Sequence, residues 1–164
     1  MKKVIAYGMA VAVCLMGAGC SSTPTLFPAD VTTKSSALEF GALQTKPDVF
    51  AGQVVQLAGR IVGVEPSEGG TLILASELPL EKHPIYGPAE TSEPTTPFAV
   101  LYPGKVDPSV TWYGNKFVVV GLAKGEQAVT VNGIARREPY MVAKCMHVWK
   151  TGGYYGIRSE EHTS

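Results

Sequence analysis

Apolar residues in this chain come in short runs divided by polar stretches rich in glycine and proline, and that spacing predicts strands. The densest run is QVVQLAGRIVGVEP, residues 53–66, dominated by Val, Leu and Ile. Gly59 inside it predicts a bulge or a sharp coil, which lets one strand serve two sides of a small barrel. SEGG then reads as a turn, and TLILASELPL, residues 71–80, as the second strand of a hairpin. FAVLYPG (98–104) predicts a short third strand. KFVVVGLAKG (116–125) predicts a fourth, with a bend at Gly121, and AVTVNG (128–133) extends it as a hairpin partner. YMVAKCMHVWK (140–150) is the last strand. Between the second and third strands, EKHPIYGPAETSEPTTP (81–97) carries Pro84, Pro88, Pro94 and Pro97 and reads as a long exposed loop rather than a structural layer. Ahead of the strands, Ala37, Leu38, Phe40 and Leu43 line one side of a short element that Pro47 stops. KPDVFAG (46–52) reads as a turn or a single helical turn.

Five or six strands with little helix define an all-β domain. A small antiparallel barrel resembling an OB fold is expected, because closure removes exposed strand edges. A β-sandwich is the second choice.

The N-terminus follows a different pattern. Lys2 and Lys3 precede Val4 to Gly19, an uncharged and mostly apolar run. A membrane-spanning helix needs about 20 such residues, so this run is short for one, and it reads as a secretory leader. Gly17, Ala18 and Gly19 stand directly before Cys20. That arrangement resembles the bacterial lipoprotein processing site, where small residues precede a cysteine that is acylated as the leader is cut away. Gly17 stands where that pattern usually has leucine. The resemblance implies lipidation at Cys20, and Ser21 in place of an aspartate implies sorting to the outer membrane. The expected organisation is a signal peptide over 1–19, a lipidated flexible tether over 20–35, a β-barrel over 36–152 and a flexible tail over 153–164. Whether Leu26 and Phe27 in the tether touch the domain or the bilayer is open at this stage.

Charge and cysteine content sharpen this picture. The chain has 14 basic and 14 acidic residues, and losing Lys2 and Lys3 with the leader would leave a small acidic excess. Membrane attachment by charge alone is then disfavoured and lipid carries the anchoring. Zero net charge also argues for no nucleic-acid partner. Of three cysteines, Cys14 leaves with the leader and Cys20 is blocked, so Cys145 has no partner for an internal disulfide.

The ordered series FAGQVVQLAGRIVGVEPSEGGTLILASELPL, FAVLYPGKVDPSVTWYGNKFVVVGLAKG and YMVAKCMHVW is similar to the Slp family of outer-membrane lipoproteins. The matching positions are Gly52, Gln53, Val54, Gly59, Ile61, Val64, Pro79 and Leu80, then Asp107, Pro108, Gly114, Lys116, Val118, Val120 and Gly121, and finally Val148 and Trp149. Trp112 and Tyr113 stand where the family has one tyrosine. The resemblance implies a lipid-anchored envelope protein of the starvation or stationary-phase type, linked to stress tolerance, and supplies no catalytic residues.

The side chains themselves offer few chemical constellations. Cys145 and His147 share one face of a strand and could form a nucleophile with its base, but a small thiol beside a half-buried imidazole is the simpler reading. Glu81, Lys82 and His83, with Glu90 or Glu93, could gather a metal; a solvated charged loop is simpler. Asp107 before Pro108 reads as a turn initiator, and Arg136 and Arg137 as a surface pair. Trp112, Tyr113, Tyr102 and Tyr86 form a candidate aromatic ligand surface for a glycan or peptide. A non-enzymatic protein without cofactor or metal is therefore expected, with a protein or glycan partner unidentified.

Overall fold

In the computed structural model the described residues are 27–150 except 33, 40, 84 and 85, and Lys82 and His83 are described by backbone alone. The leader, Cys20, Leu26, Phe40 and the tail lie outside them. The strands are β1 (Ser36–Ala37), β2 (Val54–Ser67), β3 (Gly70–Leu78), β4 (Lys82–His83), β5 (Gly87–Pro88), β6 (Pro97–Pro103), β7 (Lys116–Val131) and β8 (Ile134–Trp149). Two single helical turns, α1 (Ala29–Thr32) and α2 (Ala42–Thr45), and a 3-10 turn at Pro47–Phe50 complete the fold.

The β-branched run of β2 makes a strand of 14 residues, long enough to serve two neighbours. Its first half pairs with β7, from Val54↔Leu122 to Arg60↔Lys116. Its second half pairs with β3, from Ala58↔Leu78 to Ser67↔Gly70. β3 pairs with β6, β6 with β8 and β8 with β7, so the ladder returns to β2 and closes. This is the small barrel with OB-type topology that the sequence predicts. Its β6–β8 seam, Ala99↔Tyr140 to Leu101↔Val142, runs parallel where an antiparallel barrel was expected.

Alternation decides what fills it. Val55, Leu57 and Ile61 of β2, Ile73 and Ala75 of β3, Phe98 and Val100 of β6, Phe117 and Val119 of β7, and Met141 and Ala143 of β8 form one buried cluster inside. Gly59 lies under the Phe98 and Phe117 rings, whose centroids are 6.1 Å apart; a Cβ there would sit 2.9 Å from Phe98. The bulge expected at Gly59 falls instead between Ile61 and Gly63, because packing rather than backbone bending reserves position 59 for glycine. The bend expected at Gly121 is present as a register shift against β8. Leu43 from α2 plugs one end, with Leu38 and Phe50 against it.

Two further differences have local causes. Residues 116–125 and 128–131 belong to one strand, not two, with Asn132 and Gly133 in the turn that follows; a register shift between Ala123 and Glu126, with Gly125 at φ 74°, bends it without ending it. Val129 and Val131 in the bent arm then cover Leu72, Leu74 and Ala99 on the outside of the barrel. The segment 81–97 is not merely exposed loop. It carries the small β4–β5 ladder, and Gly87 and Pro88 are buried.

Glu77 continues the inward series of Ile73 and Ala75 and is 3% exposed. Its Oε1 accepts a hydrogen bond of 3.1 Å from the Gly41 N–H. Burial raises its pKa above the ordinary 4.5, and the Gly41 hydrogen bond offsets only part of that. A carboxylate raised in the folded state binds its proton more tightly there than in the unfolded chain. The stability this confers is complete below 4.5 and is lost as pH rises through the folded value. Glu77→Gln therefore melts at a higher temperature than the parent at neutral pH, and the difference closes under acid conditions. Gly121→Ala drives a Cβ to 2.4 Å from the Val142 carbonyl oxygen. It lowers stability in urea unfolding by about 1–3 kcal/mol.

Candidate functional site

The outer face of the β2–β7–β8 wall carries an apolar patch of its own. Ala58, Val118, Val120 and Trp149 point outward, with Cys145 partly buried among them. Water would meet this surface on a bare barrel. Phe27, only 5% exposed, seats on it, and Val31 of α1 adds to the cover. The question left open about Phe27 is thus answered in favour of the domain.

The β3–β6 connection adds to the cover. Leu80 joins the same cluster, and Gly87 lies so close to Trp149 that a Cβ would be 2.5 Å from the indole. Gly87 has φ 76° as well, so both backbone and contact demand glycine. Lys116 pins this flap. Its side chain is buried, and its Nζ donates to the Pro88 carbonyl at 3.1 Å and pairs with Glu90 at 3.0 Å. Arg60, opposite Lys116 in the ladder, pairs with the other Glu90 oxygen. Burial works against ionisation of Glu90, but the hydrogen bonds and charges of Lys116 and Arg60 together outweigh it and hold its pKa below the ordinary 4.5.

Three large aromatics are exposed among the described residues. Trp112 is 58%, Tyr113 70% and Tyr86 61% exposed. Trp112 and Tyr113 sit on the connection from β6 to β7. There the Asp107 carboxylate accepts the Ser109 N–H at 2.8 Å, as expected of a turn initiator. That hydrogen bond holds the Asp107 pKa below its usual value. Gly114 N–H and Asn115 C=O then exchange hydrogen bonds with Ile61, docking the end of the connection on β2. Tyr102 goes elsewhere: it is partly buried against the interior cluster. It lines a groove of about 350 Å³ with Lys105, Asp107, Val110, His147 and Lys150. A second groove of about 770 Å³ runs between the β2–β3 turn and residues 104–111, lined by Val64, Pro66, Thr71, Lys105 and Val106 among others.

Cys145 packs in the outer apolar cluster, and the exposed His147 sets its ring edge-on against Trp149 at 4.4 Å. Cys145 is thus committed to packing, whereas His147 stays exposed beside the Trp149 ring. Among the described residues no cluster of three or more His, Cys, Asp or Glu could hold a metal. Arg137 pairs with Glu126 at 2.5 Å and Arg136 with Glu138 at 3.7 Å. Sequence reasoning missed Lys116, whose place at a strand start suggests a solvated end. It also missed Glu77, whose spacing from Ile73 and Ala75 was the available signal.

Comparison with known proteins adds the following. Residues 18–162 match the family model described as "Outer membrane lipoprotein Slp family". No curated protein matches the chain. Among solved structures, a small single-stranded DNA-binding protein from Streptomyces coelicolor is 15% identical at a TM-score of 0.36, covering 57% of this chain and 91% of its own. A mitochondrial single-stranded DNA-binding protein from S. cerevisiae is 14% identical at 0.35, covering 61% and 97%. The expectation of no nucleic-acid partner is corrected by these neighbours. Net charge is a sum over the whole chain, and single strands are also held by stacking on aromatic faces, so zero charge does not exclude them. Likeness at these TM-scores does not assign a nucleic acid to this chain either.

Glu90→Gln is expected to lose about 1–2 kcal/mol at neutral pH, a modest figure because Glu90 is largely exposed. A pKa depressed by folding contributes stability above 4.5 that is lost as pH falls through the folded value. Denaturant curves of parent and variant therefore converge in acid.

Proposed function

The chain belongs to the outer membrane lipoprotein Slp family, and on that premise we propose that it is a non-enzymatic envelope protein held to the outer membrane by lipid on Cys20. The Cys20 thiol takes a diacylglyceryl group from a phospholipid, whose phosphorylated headgroup departs with the thiol proton; the leader is then cut before Cys20, and the freed amine takes an acyl chain from the ester of a second phospholipid, which leaves as the lyso form. One acyl chain anchors only marginally at about 0.8 kcal/mol per buried methylene, whereas three hold the protein in place.

The observation that carries this reading is the family match across residues 18–162, which includes Ala18, Gly19 and Cys20 itself. The seat of Phe27 supports it, because a domain that begins packing seven residues after Cys20 is built to sit close to its anchor. The packing of Cys145 within the outer apolar cluster supports a role other than thiol catalysis. Contribution to stress or starvation tolerance belongs to the same reading and has no residue assigned to it.

Mass spectrometry of the envelope-extracted protein is expected to show an N-terminal Cys20 carrying diacylglycerol and an amide-linked acyl chain. Cys20→Ser is expected to release the protein from the membrane pellet after a salt wash. An unmodified N-terminus, or full retention of the serine variant, would reject lipid anchoring.

A further inference from the structure

We propose that the face bearing Tyr86, Trp112 and Tyr113 lies against the lipid headgroups of the membrane that Cys20 anchors, so that the barrel is oriented on the bilayer rather than merely leashed to it. This inference rests on lipidation at Cys20.

The placement of the three rings follows from contacts already described. Phe27 is where the described chain meets the barrel, and it shares a cluster with Trp149. Trp149 carries Gly87 on its indole, and Tyr86 is the next residue. Trp149 also faces Lys116 across the β7–β8 ladder, and Tyr113 lies three residues before Lys116. Tyr86 thus adjoins the residue that rests on Trp149, and Trp112 and Tyr113 precede by a few residues the lysine that faces it, so both segments are tied to the ring that shares Phe27's cluster.

Reach then fixes which side meets the membrane. Residues 21–26 separate Cys20 from Phe27. Fully extended, that connection spans at most about 25 Å, at roughly 3.3–3.6 Å per residue. A domain of this size has a radius of gyration near about 14 Å. The anchor is too short to let the barrel turn its opposite side to the bilayer freely.

Chemistry selects the occupant. Trp and Tyr are amphipathic rings that settle at headgroup level, and they are the aromatics left at 58–70% exposure here. The nearby cations are not free to act as a polybasic patch, because Glu90 pairs with both Arg60 and Lys116. Contact is therefore through the rings, and it persists with zwitterionic lipid and in salt.

The test uses the full lipidated protein in phosphatidylethanolamine–phosphatidylglycerol vesicles, with and without bromine on the acyl chains near the headgroup. The chain has two tryptophans, and Trp149 is only 8% exposed. Brominated lipid is expected to diminish tryptophan emission. Most of that loss disappears in Trp112→Phe and is kept in Trp149→Phe. Protein that floats with the vesicles yet emits equally in both overturns the inference while leaving the anchor intact. So does a Trp112 emission change produced by peptidoglycan fragments and not by brominated lipid. Protein whose Cys20 is unmodified by mass, or that does not float, overturns the anchor and this inference together.

Discussion

Everything in this molecule depends on β2 bonding to two neighbours at once. Ala58, Gly59 and Arg60 lie in ladders with both β3 and β7. Without that double use the five long strands would form an open sheet with apolar residues on both faces. With it, one set of alternate residues is enclosed and the other becomes an outer wall. Gly59 marks the joint, because the rings of Phe98 and Phe117 occupy the space a side chain would need. The same double use places Arg60 opposite Lys116, and so creates the pair of cations that Glu90 draws the flap onto.

The outer wall explains why the chain carries so much that is not barrel. Val118, Val120 and Trp149 are outward and apolar, and the cluster they form is covered by pieces far apart in the sequence, Phe27 before the barrel and Gly87 within the β3–β6 connection. On the other side, the bent arm of β7 brings Val129 and Val131 over Leu72 and Leu74. The barrel is thus a middle layer between two small outer cores.

Much of this was legible in the sequence, and what was not has identifiable causes. The strand runs of Val, Ile and Leu located β2, β3, β6, β7 and β8, because β-branched residues in short runs between turn residues have few other uses. The barrel followed from the need to cover two apolar faces. Bulge position was misjudged, since a glycine reserved for an aromatic neighbour looks the same in sequence as one reserved for a bend. The flap was misread as open loop because its order comes from Lys116 and Trp149, distant residues that no local pattern announces. Aromatics raise the same ambiguity: Tyr102 packs inward while Tyr86, Trp112 and Tyr113 remain outside, and composition alone does not separate them.

The seam formed by Trp149 and Phe27 also orders events in time. The two residues lie at opposite ends of the described chain, and β8 is needed to close the ring against both β6 and β7. Contacts of such long sequence separation are slow to form. A chain emerging amino end first presents Phe27 with an incomplete seat until the last strand has followed. Assembly therefore completes only when the whole domain has arrived, and a partly delivered chain stays unlocked.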